Sequence, residues 1–305
     1  MCDPLTPAPF RPSGSGPSGN GQTGSGPSGR KAYPPAPEPL PVPVMDNHTH
    51  LDFRADGPAV SIKDALDAAA AVGVQGAVQV GCDLESSRFT VKAVEADPRL
   101  LGAVALHPND APAYAARGEL EEALAEIEAL AAHPRVRAIG ETGLDFFRTA
   151  GEGLVQQRYS FRRHIDIAKR LGLTLQIHDR DAHDDVVQVL REEGAPERVV
   201  FHCFSGGEEL ARTCNAEGWY MSFAGTVTFK NAADLRAALA VAEPGRLLVE
   251  TDAPFLTPHP HRGRPNASYM VPYTVRAMAD LTGWDLAELC ARIAENTRQA
   301  YGSWE

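Results

Sequence analysis

The chain has 305 residues, of which 43% are hydrophobic and 23% charged, a composition typical of a globular protein. It contains no run of about 18 apolar residues, which argues against a membrane-spanning helix and against a membrane partner. Its net charge of −11 excludes binding of a polyanion through a broad positive field, so any contact with phosphate must be local.

The cysteines and the first residues indicate the compartment. Five cysteines are present without a CxxC pair, so we expect neither a disulfide scaffold nor a thiolate zinc finger. The opening segment, MCDPLTPAPF, lacks the basic and apolar parts of a secretory signal. We therefore expect a cytoplasmic protein.

Residues 1–44 differ from the rest of the chain. They hold 12 of the 24 prolines, and the sequence GSGPSG occurs at 14–19 and again at 24–29. A tract of this composition buries too little apolar surface to offset the entropy lost on ordering, so we expect a disordered tail. A docking arm for a partner protein is the alternative, although the tract contains no binding motif.

The remaining residues, 45–305, alternate between short apolar runs and amphipathic segments, which predicts one domain. The runs predict eight strands, at 43–50, 76–82, 101–107, 136–143, 173–179, 198–204, 220–226 and 246–252. Helical periodicity is found at 120–132, 154–172, 182–193, 208–217 and 231–242, and one or two further helices follow residue 269.

This alternation predicts an α/β fold, a (β/α)8 TIM-type barrel. Such barrels typically have about 250 residues, close to the length of the region after the tail. A doubly wound open sheet is the alternative, but no GxGxxG or Walker A segment favours it.

Polar residues follow the predicted strands at the ends where TIM-type barrels place their chemistry. His48 and His50 are two residues apart, so both side chains leave the first strand on the same side. Other strands contribute Glu141, His178, His202 and Asp252. Burying this many ionisable groups without partners would cost several kcal/mol each, so the pattern predicts a metal centre rather than a polar core.

Six ligands exceed the three or four that one zinc ion requires, and two divalent ions about 3.5–4 Å apart use them better. Glu141 lies on the middle strand and has two oxygens, so we expect it to bridge the ions. One ion would take His48, His50, Glu141 and Asp252, and the other would take Glu141, His178 and His202. Nitrogen-rich ligation favours zinc, manganese or nickel over magnesium, and the identity of the metal stays open.

Several motifs resemble those of the TatD family of metal-dependent hydrolases. They are DNHTHLDF (46–53), GETGLDFFR (140–148), IHDRDA (177–182), HCFSG (202–206), GTVTFKNA (225–232) and ETDAPFLTP (250–258). RGRPNAS (262–268) and ENTRQAY (295–301) match as well. The resemblance covers residues 44 to about 302 and leaves the N-terminal tail outside.

The resemblance implies a barrel similar to that of the amidohydrolases, with two divalent metals. Members of the family look like DNases that often act 3′→5′ on single-stranded DNA, and some are linked to deacylation of aminoacyl-tRNA. The ligands carry over residue by residue. His48 and His50 match the opening HxH motif, Glu141 the bridging glutamate, His178 and His202 the histidines of the second ion, and Asp252 the final aspartate.

Asp252 has a second expected role. A carboxylate that contacts both an ion and a nucleophilic water can accept the proton of the water and return it to the leaving oxygen. Asp252 and Glu141 are therefore the candidate catalytic residues. Glu250 and Asp46 each lie two residues from a ligand, and either could orient a ligand histidine or act as a structural hydrogen-bonding residue.

Candidate substrate contacts lie in the loops beyond the strand ends. Arg148, Arg180 and Lys230 could bind phosphate, or they could form surface ion pairs. Ser205 offers a hydroxyl in the same region. His107 is expected to line the pocket without binding metal.

Three functions are compatible with these residues. The pattern favours a two-metal DNase of exonuclease type, acting on single strands or free ends of DNA, because cations follow the strand ends. The alternative is a two-metal hydrolase of a carbon centre, such as an aminoacyl-tRNA ester, an amide or a lactone. A metal-binding scaffold without activity is the third, and the position of Asp252 as a base argues against it.

Overall fold

A computed structural model describes residues 5–11, 32–53 and 59–304. Within these residues, eight parallel strands form one sheet in sequence order, which confirms the predicted α/β barrel. The strands are β1 (Val44–Thr49), β2 (Val74–Gly81), β3 (Leu100–Val104), β4 (Val136–Asp145), β5 (Thr174–Arg180), β6 (Val199–Phe201), β7 (Tyr220–Phe223) and β8 (Leu247–Val249).

Helices follow the strands along the chain and cover the outside of the barrel. They are α1 (Ile62–Ala70), α2 (Leu84–Ala96), α3 (Ala111–Ala116), α4 (Leu120–Ala131), α5 (Glu152–Leu171), α6 (His183–Glu193), α7 (Glu208–Glu217), α8 (Ala233–Val241), α9 (Val271–Thr282) and α10 (Leu286–Tyr301). In the described part of the chain, no helix is long and apolar enough to cross a membrane.

The first and last strands close the barrel through main-chain hydrogen bonds. The amide of Asp252 donates to the carbonyl of His48 (3.0 Å), and the amide of His50 donates to the carbonyl of Ala253 (2.8 Å). These bonds hold the residues after β8 beside the end of β1. The closure therefore brings the first and last predicted ligands of the chain together.

Strands β6 and β8 end earlier than the sequence predicts, so His202 and Asp252 lie in the loops that follow. The backbone turns there into the left-handed region, with φ of 41° at Cys203 and 53° at Asp252. Side-chain alternation therefore cannot be extended from the strand to these residues. The left-handed turn therefore sets the direction of the Asp252 side chain, and the side-chain alternation of β8 does not predict that direction.

The inside of the barrel is apolar at its lower end. A buried cluster combines apolar side chains of β2, β3, β4, β6, β7 and β8 with Ala300 and Tyr301 of α10. The amide nitrogen of Gln176 donates to the Tyr301 hydroxyl (2.8 Å) and to the carbonyl of Asn47 (3.0 Å). Because α10 closes this end, polar chemistry is confined to the opposite end, where the strands have their carboxyl termini.

Two segments of the N-terminal tail differ from the expected disorder. In 5–11 and 32–43, Phe10, Tyr33 and Leu40 are buried, and the Phe10 ring packs edge-on against Tyr33 (4.8 Å between centroids) and Tyr269 (4.9 Å). The physical reason is that these few aromatic and aliphatic side chains bury apolar area on the barrel, although the average composition of the tract is polar and rich in proline and glycine. The expectation for 1–4 and 12–31 lies outside the described residues.

Main-chain groups of the tail are also bonded to the barrel. The Tyr269 hydroxyl donates to the carbonyl of Pro34 (2.7 Å), and the Arg264 guanidinium donates to the carbonyl of Ala32 (2.7 Å). Nearer the first strand, the amide of Leu40 donates to the carbonyl of Val72 (3.0 Å). The segment is therefore held by both apolar packing and hydrogen bonds.

We predict that Phe10→Ala lowers the free energy of unfolding by about 3 kcal/mol, since it removes a buried ring and leaves a cavity beside Tyr269. Phe147→Ala is the matched control, because the Phe147 side chain is 63% exposed whereas that of Phe10 is 2% exposed. Urea denaturation of both variants measures the difference. A loss at Phe10 no larger than that at Phe147 would show that the tail does not pack on the barrel in solution.

Candidate metal centre

The six predicted ligands meet at the carboxyl ends of the strands. Nε2 of His48 and Nε2 of His50 are 3.0 Å apart, and they lie 3.7 and 3.6 Å from Oε1 of Glu141. The same two nitrogens lie 3.7 and 3.4 Å from Oδ1 of Asp252. Four predicted ligands of one ion therefore share one small volume.

The second oxygen of Glu141 faces a different pair of histidines. Oε2 lies 2.8 Å from Nε2 of His202 and 3.1 Å from Nδ1 of His178. One carboxylate thus presents Oε1 to His48 of β1 and to His50 just after it, and Oε2 to His178 of β5 and His202 just after β6. This is the arrangement expected of a bridging ligand.

The donor atoms fit divalent cations. Nε2 of His202 is buried and has no hydrogen-bond partner of acceptable geometry, although a carboxylate oxygen lies close to it. Three groups of three side chains have ligand atoms within 4.8 Å of one another: His48, His202 and Asp252; His48, His50 and Glu141; and His107, Glu141 and His178. Imidazole nitrogen with carboxylate oxygen is a donor set that suits transition-metal ions.

The charges at the centre are strongly coupled. Burial alone would raise the pKa of Glu141, but the nearby histidines, His202 first, hold it well below its usual range. Burial would lower the pKa of His202, yet the charges of Glu141 and Glu250 raise it well above its usual value. His48 is buried without comparable compensation, and its pKa lies well below the usual value. Glu141 is therefore ionised, and positive charge from His202 or from a bound cation compensates it.

Outer contacts fix the orientation of the ligand rings. Nδ1 of His50 donates to the carbonyl of Val80 (3.0 Å), and Nδ1 of His202 donates to Oε1 of Glu250 (3.2 Å). Each bond leaves Nε2 of the ring directed at the centre, as is usual for histidine ligands. Glu250 thus orients a ligand histidine, which is one of its two predicted roles.

Asp46 acts as a structural hydrogen-bonding residue, the second of the two roles predicted for it. Its carboxylate accepts hydrogen bonds from the amide (2.8 Å) and the hydroxyl (2.6 Å) of Thr251, and from the main-chain amide of His48 (3.4 Å). The bonds from Thr251 tie β1 to the residues after β8. Burial raises the pKa of Asp46 to about 7.

Sequence reasoning missed Asp145 and Cys82. Oδ2 of Asp145 lies 3.3 Å from Nε2 of His178 and accepts a hydrogen bond from the side chain of Asn109 (2.8 Å). Sγ of Cys82 lies 3.3 Å from Oε1 of Glu141. Both were detectable, since Asp145 shares the strand parity of Glu141 and Cys82 directly follows β2.

His107 lies nearer the centre than a lining residue would. Its Nε2 is 3.4 Å from Nδ1 of His178 and 3.8 Å from Oε2 of Glu141. Burial lowers the pKa of His107 to about 3, so the ring is neutral. A neutral imidazole in this place has a lone pair to offer a cation.

The predicted phosphate contacts Arg148, Arg180 and Lys230 lie at or after the carboxyl ends of β4, β5 and β7. Arg148 and Lys230 are exposed, and the guanidinium of Arg180 lies over the ring of Phe147, 4.0 Å from its centroid. The hydroxyl of Ser205 donates to the carbonyl of Asp179 (2.7 Å), so its proton is already committed. The three cations are therefore better placed for phosphate than Ser205.

A glycine is required between the two acids of β4. Gly143 has φ of +140°, and a Cβ on it would lie 2.1 Å from the carbonyl oxygen of His178. The contact lets β4 and β5 approach closely where Glu141 and His178 meet. The glycine of the GETGLDFF motif thus serves the geometry of the ligands.

Known proteins share much of this sequence. Residues 45–302 match a family model described as TatD related DNase. An uncharacterized metal-dependent hydrolase TatD of Mycobacterium tuberculosis is 47% identical over 85% of this chain and 98% of its own length. A 3′-5′ ssDNA/RNA exonuclease TatD of Escherichia fergusonii is 34% identical over 78% of this chain and 92% of its own.

The fold has a solved counterpart. The crystal structure of the TatD homologue YjjV from Escherichia coli K12 superimposes with a TM-score of 0.78 at 24% identity, covering 85% of this chain and 98% of that one. At this identity the likeness concerns the fold. It supports the eight-stranded barrel and its strand order.

We predict that the purified protein holds up to two divalent ions per chain and that Glu141→Ala loses both. The reason is that the two oxygens of Glu141 face different histidine pairs, so its removal opens both groups of ligands. Glu243→Ala, which removes an exposed acid far from the centre, is the control and should keep the wild-type metal content. Elemental analysis after dialysis gives the ratio, and full occupancy in Glu141→Ala would contradict bridging.

Proposed function

The chain belongs to the TatD-related DNase family of metal-dependent hydrolases, and we propose that it is a two-metal exonuclease that removes nucleotides from the 3′ end of single-stranded DNA. The observation that carries the proposal is the orientation of Glu141, with one oxygen toward His48 and His50 and the other toward His178 and His202. Two cations bound by these residues would stabilise the attacking oxygen and the leaving oxygen of a phosphodiester displacement.

The bound cations would supply Lewis acidity, which lowers the pKa of water and withdraws charge from the scissile phosphate. The protein supplies the proton transfers. Asp252 is the most accessible carboxylate of the centre, with its side chain 15% exposed against 6% for Glu141. We assign it the role of base, accepting the proton of the attacking water and returning it to the leaving oxygen.

Substrate binding is local in this proposal. Arg148, Arg180 and Lys230 lie at or after the strand ends and would hold the phosphates next to the scissile bond. The net charge of −11 opposes a long bound duplex but not a short single strand or a free end, where few phosphates are held at once. The name of the E. fergusonii relative supports the same class of substrate and the same polarity.

We also propose that the protein works in the cytoplasm. The described cysteines, Cys82, Cys203, Cys214 and Cys290, are free thiols, and Cys82 lies beside the candidate metal centre. A reducing compartment keeps such thiols from oxidation.

We predict that Asp252→Asn lowers turnover of a single-stranded oligonucleotide roughly 10²–10⁴-fold, because it removes the proton acceptor. The substitution keeps an oxygen for the metal, so at least one ion should remain bound. Asp234→Asn, at an exposed position on α8, is the control and should behave as wild type. Near wild-type turnover by metal-loaded Asp252→Asn would exclude Asp252 as the base.

We predict that Arg148→Ala and Arg180→Ala each weaken oligonucleotide binding about tenfold, because a charge-assisted contact with phosphate is lost. Cleavage of a small neutral ester should not change. Arg212→Ala, which removes the same charge from the exposed Arg212–Glu208 pair on α7, controls for net charge. If the arginine variants impair the ester and leave the oligonucleotide unchanged, hydrolysis of a carbon centre explains the site better.

A further inference from the structure

A cavity of about 830 Å³ lies beside the candidate metal centre, and His50 borders both. Its lining includes Phe10, Tyr33, Phe53 and Phe89. We propose that this cavity is a nucleobase subsite and that the N-terminal segment builds part of its wall. The inference rests on the proposed function, since it names where the terminal base of the DNA strand is held.

The aromatic lining suits a planar ring. Base–aromatic stacking is a common way to hold single strands, because every base has a π-face. The Phe53 ring lies 4.9 Å from the His50 ring and 5.9 Å from the Phe255 ring, measured between centroids. Both phenylalanines are exposed despite their size, so their faces are available at the entrance.

Among the described lining residues, the charges disfavour phosphate and admit a neutral base. The described lining residues include Asp52, Asp83 and Glu85 but no Lys or Arg. Carboxylates repel phosphate, yet they accept hydrogen bonds from the exocyclic amino groups of bases. The cations proposed to bind phosphate, Arg148, Arg180 and Lys230, are not among the lining residues. A bound DNA strand would therefore place its terminal base in the cavity and its phosphates against these three cations.

His50 connects the cavity with the candidate metal centre. Nε2 of His50 faces Glu141 and Asp252, whereas its ring packs next to Phe53. A base seated against Phe53 therefore leaves its sugar and phosphate beside the candidate ligands. The cavity would act as a positioning site that sets the terminal phosphodiester at the centre.

The contribution of the N-terminal segment distinguishes this chain from the relatives it matches. The family model begins at residue 45, and 98% of the M. tuberculosis relative is covered by 85% of this chain. Phe10 and Tyr33 lie before the matched region, yet both line the cavity. They are held in place by the edge-on contact of Phe10 with Tyr269 and by the hydrogen bond from the Tyr269 hydroxyl to Pro34.

The test compares a single-stranded oligonucleotide with the same oligonucleotide carrying an abasic 3′-terminal residue. We expect wild-type kcat/KM to be roughly 5- to 150-fold lower on the abasic substrate, the range that stacking of one base provides. Phe53→Ala should lose a similar factor on the normal substrate and little more on the abasic one. Leu281→Ala is the control, because Leu281 is 44% exposed, much as Phe53 is at 43%, and lies on α9.

The wall formed by the tail is tested with Phe10→Leu, which keeps apolar bulk and removes the ring. We expect a smaller loss than for Phe53→Ala, again confined to the normal substrate, with the urea midpoint measured in parallel. Equal losses on both substrates would overturn the role of the tail. If Phe10→Leu unfolds, Tyr33→Leu takes its place under the same criterion.

A second readout avoids turnover altogether. Saturation-transfer NMR of adenosine with chelator-treated protein should show contact of the base protons, lost in Phe53→Ala and kept in Leu281→Ala. Equal wild-type cleavage of the normal and abasic oligonucleotides, with no adenosine contact, overturns the base subsite and leaves the exonuclease proposal standing. Failure of the metal-loaded enzyme to cleave any oligonucleotide overturns both.

Discussion

The structure depends on one buried carboxylate. Glu141 lies on β4, and four histidine nitrogens lie within 3.7 Å of its two carboxylate oxygens. A buried negative charge is costly unless it is compensated, either by a protonated imidazole such as that of His202 or by a bound cation. Divalent cations held by Glu141 and the histidines would supply that positive charge, with imidazole nitrogens as their ligands.

The rest of the barrel holds the rings around that carboxylate. Hydrogen bonds from His50 to Val80 and from His202 to Glu250 fix which nitrogen of each ring points inward. The close approach at Gly143 keeps β4 against β5, and α10 closes the opposite end so that the centre opens only at the strand termini. In the proposed function, the binding energy for substrate comes from the loops beyond the strand ends, which carry cations and aromatic rings.

Much of this arrangement could be predicted from the sequence. Eight apolar runs predicted the strands, and polar residues at their ends predicted the convergence of His48, His50 and Glu141, because strand order alone brings those ends together. The TatD motifs predicted the family. Asp145 was missed because the prediction took a single ligand from β4, and Cys82 was missed because it took none from β2. The direction of Asp252 depends on a left-handed turn that strand parity does not encode. The packing of Phe10 and Tyr33 was hidden by the proline- and glycine-rich composition around them.

The most direct test of the central claim is anomalous X-ray diffraction from crystals of the protein loaded with Mn²⁺. The account predicts two anomalous peaks about 3.5–4 Å apart, one near each oxygen of Glu141. One peak should contact His48 and His50, and the other should contact His178. A single peak, or peaks that do not share Glu141, would contradict the two-metal centre on which the proposed hydrolysis rests.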